Sequence, residues 1–160
     1  VSAVTAPAER RYLRVVRASA GYDLVVTAGF ATPWSYALVH AALSGLGHRF
    51  GLGALPALEP AQLLYANLMG SLVVVWAVLR LRRPSRRYGG YDGVARVLFA
   101  VWQGWALAHG FSSVLWPFLL VEAAFAVAQL VPLAGWRRRP GAARAGSAEP
   151  AEGAVPRVLS

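Results

Sequence analysis

Hydrophobic residues come in four long runs along this chain, with arginine clusters between them. Leu24–Leu43 carries no charge, and Ala61–Leu79 is closed by Arg80. Gly93–Gly110 is interrupted once, by Arg96, and Phe111–Val131 once, by Glu122. A helix needs about 20 apolar residues to cross the hydrocarbon of a bilayer. Lipid-facing backbone must also satisfy its own hydrogen bonds, and the alternating short strands of a barrel are not seen. The pattern predicts an all-α membrane protein, an antiparallel bundle of four transmembrane helices at 24–43, 61–79, 93–110 and 111–133. This domain, 22–136, lies between a basic arm, 1–21, and a tail, 137–160. In the arm, Arg10, Arg14 and Arg17 fall on one helical face and Leu13, Val16 and Ala20 on another. An interfacial helix fits that split, and a disordered basic arm is the plain alternative. The run that follows is too long for the apolar stretch of an ordinary signal peptide. The tail from Pro140 to Ser160 lacks periodicity and is expected to be disordered.

Composition reinforces the membrane reading. Of 160 residues, 57% are hydrophobic and 14% charged, against about 25% charged in a soluble domain. That excludes a soluble enzyme, a disordered chain and a disulfide-stapled secreted domain. With no cysteine, disulfides, thiolate catalysis and cysteine metal sites are excluded too. All 16 basic residues are arginine, which, with the abundant Ala, Gly and Pro, suggests a GC-rich bacterial genome. The net charge of +9 invites a nucleic-acid reading, but the arginines lie where lipid headgroups would. Fourteen adjoin the ends of apolar runs: Arg10, Arg11, Arg14 and Arg17; Arg80, Arg82, Arg83, Arg86 and Arg87; Arg137, Arg138, Arg139, Arg144 and Arg157. The expected partner is anionic lipid at the cytoplasmic face of the bilayer, with no nucleic acid. Only Arg49 lies between the first two runs, and none between the last two. The bias places both termini on the cytoplasmic side of a bacterial inner membrane.

Within the runs, Pro33 and Pro117 are expected to kink their helices, and Gly70 and Gly104 to allow close helix approach. The glycines of the loop 44–60 follow an apolar helix rather than a strand, so turn chemistry explains them better than phosphate binding.

Polar side chains inside a bilayer face the bundle interior. Arg96 and Gln103 lie seven residues apart in the third run, as do Glu122 and Gln129 in the fourth. If the turn centres between Ser112 and Ser113, one antiparallel register pairs Gln103 with Glu122 and Arg96 with Gln129. Asn67 falls at a similar depth to Glu122, with Ser71 one turn on; Thr27, Thr32 and Ser35 are available from the first run. Asp92 precedes Arg96 by four residues, a favourable helical pair. A polar core of Asn67, Gln103 and Glu122 is thus expected above a charged floor of Asp23, Asp92, Arg96 and Gln129. Two readings stand: a ligand or proton-linked site, or interhelical glue.

His40 and His109 end helices at similar depth and are weak candidates for haem or, with His48, a metal; no other metal site is expected. Trp116 and Trp136 suit an interfacial belt, whereas Trp34, Trp76 and Trp102 lie deeper and either line a cavity or pack against neighbours.

The stretches Asn67–Trp76, Tyr91–Phe99 and Val121–Phe125, within roughly residues 10–136, resemble the small DoxX-like and BphX-like four-helix bacterial membrane proteins. The likeness is architectural, and no catalytic residue is carried over by it. It implies a small membrane protein, some DoxX members being subunits of quinone-linked oxidoreductases. The expected role is non-enzymatic: binding of an apolar or lipid-like ligand, or of a membrane partner or second copy, in the bundle core. A quinone- or haem-linked subunit and a proton-coupled small transporter are the alternatives.

Overall fold

The computed structural model describes residues 5–53 and 55–137. Every regular element among them is helical: α1 (Thr5–Thr27), α2 (Pro33–Arg49), α3 (Pro60–Arg82), α4 (Arg86–Ala108) and α5 (Trp116–Arg137). Single 3-10 turns at Ala28–Phe30 and Ser113–Leu115 precede α2 and α5. Two segments, Pro60–Arg82 and Ser113–Trp136, are long and apolar enough to cross a membrane. The predicted tail from Pro140 lies outside the described residues.

Local chemistry fixes the helix starts. Thr32 is extended, as suits a residue before proline, and its side chain accepts from the Ser35 amide, with Pro33 opening α2. Glu59 and Gln62 form a capping box ahead of Pro60 at the start of α3. Ser85 accepts from the Tyr88 amide to start α4. Pro84 follows α3, and Gly110, at φ +86°, closes the chain beyond α4. Prolines therefore mark helix beginnings here, where the missing N–H has no partner to lose. The kinks expected at Pro33 and Pro117 are not found at mid-helix; Pro132 is the proline inside a helix, in α5.

The first apolar run, 24–43, departs most from expectation. It is not one helix: α1 carries the basic arm without a break through Asp23 to Thr27, and the chain then bends before α2 begins. Two β-branched valines and Thr27, whose hydroxyl bonds back to the Asp23 carbonyl, precede Ala28-Gly29 and the pre-proline Thr32, a poor sequence for continued helix. From Thr5 onward the arm is helical and not purely interfacial, because Tyr12, Val16, Ser19, Ala20 and Asp23 are buried along one α1 face.

α1 runs antiparallel along α3, and α4 antiparallel along α5. The pairs meet chiefly through α1, which also packs on α4 and α5, while α3 packs closely on neither. At the arginine-rich end Tyr12 stacks edge-on against Trp136 (5.3 Å) and Gly89 gives Tyr12 and Val16 room to approach α4. At the far end the Ser112 hydroxyl donates to the carbonyls of Leu52 and Gly53, and the Ser113 amide to that of Leu52.

Candidate functional site

The interior of the four-helix junction is charged. Arg80, Arg96 and Gln129 are the largest fully buried side chains of the described residues, at 0, 1 and 0% exposure. α1 contributes Ser19 and Asp23 one turn apart, α3 contributes Trp76 and Arg80, α4 contributes Asp92 and Arg96, and α5 contributes Glu122 and Gln129. Each pair has i,i+4 or i,i+7 spacing and so projects from one helical face.

The ion pairs interlock. Arg80 spans Asp23 (2.5 Å) and Asp92 (2.6 Å), joining α3 to both α1 and α4. Arg96 reaches Asp23 (2.6 Å), Asp92 (3.1 Å) and Glu122 (2.7 Å) from its three nitrogens. At the centre the Ser19 hydroxyl donates to Asp92 Oδ2 (2.6 Å) and accepts from Arg80, Arg96 and Gln129. Asp92 is the most heavily hydrogen-bonded carboxylate of the cluster, since Gln129 Nε2 (2.7 Å) and the Trp76 indole N–H (3.3 Å) donate to it as well. The faces of Trp76 and Phe125 back the guanidinium groups of Arg80 and Arg96 at 5.5 and 4.8 Å. Removing this many charges from water is expensive, and interlocking geometry of this quality is the condition under which mutual attraction offsets it. Glu122 is the exception in the set. One oxygen accepts from Arg96; the other has no hydrogen-bond partner among the described residues, and the side chain keeps 11% of its surface.

The charged floor expected from the sequence, Asp23, Asp92, Arg96 and Gln129, is therefore brought together, including the Asp92–Arg96 helical pair. The polar core above it is not. Asn67 donates instead to the Phe30 carbonyl (2.8 Å) at the break after α1. A Cβ on Gly70, one turn away, would stand 2.5 Å from the Phe30 carbonyl carbon, so only glycine lets α3 pass that close. Glu122 pairs with Arg96 rather than Gln103, and Gln129 with Asp92 rather than Arg96. Two causes combine. α4 ends at Ala108, before the expected turn centre, and Gly93 lies opposite Leu130, a two-residue slip from the expected register. The long arginine side chain then carries its charge a turn along the bundle. Gln103 Oε1 is left buried without a partner, as are Gln129 Oε1 and Arg80 Nε.

Sequence reasoning missed Arg80 and Ser19. Arg80 closes an apolar run beside Arg82 and Arg83 and looks like one more headgroup-facing arginine; it is fully buried. Ser19 lies in the basic arm. Its spacing of four from Asp23, on the face bearing Val16 and Ala20, was the available signal.

His40 Nε2 contacts the Pro56 carbonyl (2.8 Å), and His109 stacks on Trp105 while its Nδ1 contacts the Trp105 carbonyl (2.8 Å). The structure does not pair them as axial ligands would be paired, and no three potential metal-ligating side chains converge among the described residues. Trp34 and Trp102 face outward, at 74 and 63% exposure. Two open grooves lie at opposite ends: about 500 Å³ between α1 and α5 beside Arg11, Tyr12 and Trp136, and about 400 Å³ beside Pro56, Trp105 and His109. Neither is lined by the charged cluster.

Compared with known proteins, the chain matches no family model, and no curated protein or solved structure is significantly similar to it.

Proposed function

We propose that this chain is a small multi-pass protein of a bacterial inner membrane, with four crossings and both termini in the cytoplasm, that binds an apolar or lipid-like ligand or a partner helix beside its charged centre. The observation that carries the membrane part is the inverted distribution of polarity. Arginine and carboxylate fill the interior, while Leu68, Leu72 and Val75 on α3, Val97, Leu98 and Val101 on α4, and Leu120, Val127 and Val131 on α5 point outward. Water would drive the opposite arrangement; hydrocarbon favours this one, since charged groups gain by pairing inside. In this reading α1, the break and α2 together make the first crossing, with non-helical backbone at mid-depth supported by Asn67, as such segments require. The exposed arginines along the N-terminal half of α1 and at the ends of α3 and α4 meet anionic headgroups. The kinship with DoxX-like and BphX-like proteins is part of the proposal and rests on architecture.

The ligand part rests on Gln103 and on the separation of α3 from α4 and α5. Gln103 stands two turns beyond Arg96 on the same face of α4, its carbonyl oxygen buried and unpartnered. α3 closes on α4 mainly through the long side chains of Trp76 and Arg80. A molecule lodged between the two helix pairs would meet Gln103 as its polar contact.

Cysteine labelling tests the topology, because the native chain has no cysteine background. A cysteine replacing Ser44 should label with an impermeant reagent in intact spheroplasts, and one replacing Ser85 only after lysis; the reverse overturns the orientation. Native mass spectrometry from mild detergent tests the binding. A bound species retained by the parent and lost from Gln103→Leu supports it, whereas identical, ligand-free spectra for both overturn it.

A further inference from the structure

The buried cluster does not balance its charge. Three carboxylates (Asp23, Asp92, Glu122) face two guanidinium groups (Arg80, Arg96), and Ser19, Gln129 and Trp76 add no charge. An isolated net charge in low-dielectric surroundings is far costlier than a balanced pair, and one added cation removes it. The groups facing the cluster from every helix packed on it are Tyr12, Tyr22 and Asp23 of α1, Arg80 of α3, Asp92 and Arg96 of α4, and Glu122 of α5; none supplies a third positive charge.

We propose that the cluster is a one-proton site and that Glu122 Oε1 is the atom that takes the proton. Asp92 accepts four hydrogen bonds and pairs with Arg80 besides, and Asp23 has an arginine on each oxygen. Glu122 alone has an oxygen free of any donor. A proton on that oxygen leaves Oε2 accepting from Arg96 Nη1, so the ion-pair lattice need not be dismantled for protonation. Metal cations fit poorly, because they require several oxygens around one point and a proton requires one. Release of the proton leaves the cluster at net charge −1, with repulsion of Glu122 from Asp23 and Asp92. Only Arg96 ties Glu122 to the other helices, so α5 is the helix placed to respond. The site is thus suited to couple proton uptake to movement of α5 against α1 and α4. This inference rests on the membrane reading only in taking the cluster as shielded from bulk water.

Infrared difference spectroscopy of the purified full chain in lipid nanodiscs, taken between mildly acidic and alkaline buffer, tests the assignment. A single protonated-carboxyl band should persist at neutral pH and disappear at alkaline pH. It should shift when glutamate, but not aspartate, is isotope-labelled, and be missing from Glu122→Gln. The folded state then holds one proton more than the unfolded chain at neutral pH, so parent stability falls as pH rises. Glu122→Gln, with two charges of each sign, should lose that dependence and melt at or above the parent temperature in alkaline buffer. A band that follows aspartate labelling, a band that survives Glu122→Gln, or no neutral-pH band at all overturns the proposal. So does melting that responds to sodium at fixed pH and not to pH. The labelled parent gives its answer even if the variant fails to fold, and none of these readouts depends on the topology or ligand experiments.

Discussion

α1 and α3 lie side by side and divide their labour against their composition. α3 is among the most apolar segments of the chain, yet Leu64, Tyr65, Leu68, Met69, Leu72 and Val75 all face outward; its buried members are Ala66, Gly70, Ala77 and Arg80. α1 is not apolar enough to pass as a span and carries four exposed arginines, yet it supplies Tyr12, Val16, Ser19, Ala20 and Asp23 to the interior. In this molecule hydropathy reports what faces the surroundings, and small or charged residues report what faces neighbouring helices. That is the relation expected where lipid, rather than water, is the competing solvent.

The contrast makes graded predictions. The largest effect should follow loss of a buried arginine. Arg80→Leu leaves Asp23 and Asp92 underpaired and should destabilise the fold by about 3–5 kcal/mol, whereas Arg82→Leu, two residues on and exposed, should change little. Thermal unfolding in detergent compares them, and equal losses would show that Arg80 acts only as a headgroup contact. Ser19→Ala removes the hydroxyl at the centre of the cluster and should cost about 2–3 kcal/mol, since charged partners are left short. A conservative change in the supposedly peripheral basic arm would then outweigh many changes in α3. Gly70→Val should follow, at roughly 1–3 kcal/mol, as the Phe30 backbone is pushed away; cysteine crosslinking between α2 and α3 would report the displacement. Asn67→Leu should cost about 1 kcal/mol, the size of an interhelical hydrogen bond in a bilayer. Smallest of all, Leu68→Ala and Leu72→Ala on the outward α3 face should stay within about 0.5 kcal/mol. A large loss at either leucine would reveal a protein partner on that face.

Much of the site could be read from the sequence because a charge inside an apolar run has few tolerable places. Arg96 and Glu122 announce themselves in this way, and Asp92 and Gln129 follow by helical spacing. What escaped detection did so for physical reasons. Arg80 sits where an interior and a headgroup arginine look alike. The pairing of Glu122 was displaced because arginine is long and because α4 ends at Ala108, short of the expected turn centre. The helix break at Ala28–Phe30 lies in an uninterrupted apolar run. The pre-proline Thr32 gave its position, but hydropathy alone could not distinguish a broken helix from a straight one.

The distribution of charge between α1 and its neighbours also bears on how the chain is assembled. Asp23 has its counter-charges on Arg80, 57 residues later, and on Arg96, 73 residues later. An aspartate carried by a lone helix opposes insertion, by up to about 2.5–3.5 kcal/mol where it reaches the helix centre. In the membrane reading, α1 therefore emerges from the ribosome as a segment that cannot settle alone. It must wait at the insertion machinery, or at the lipid surface, until α3 and α4 arrive. Biogenesis of this protein is then cooperative across most of its length, and truncation after α3 should leave α1 without one of its two arginine partners.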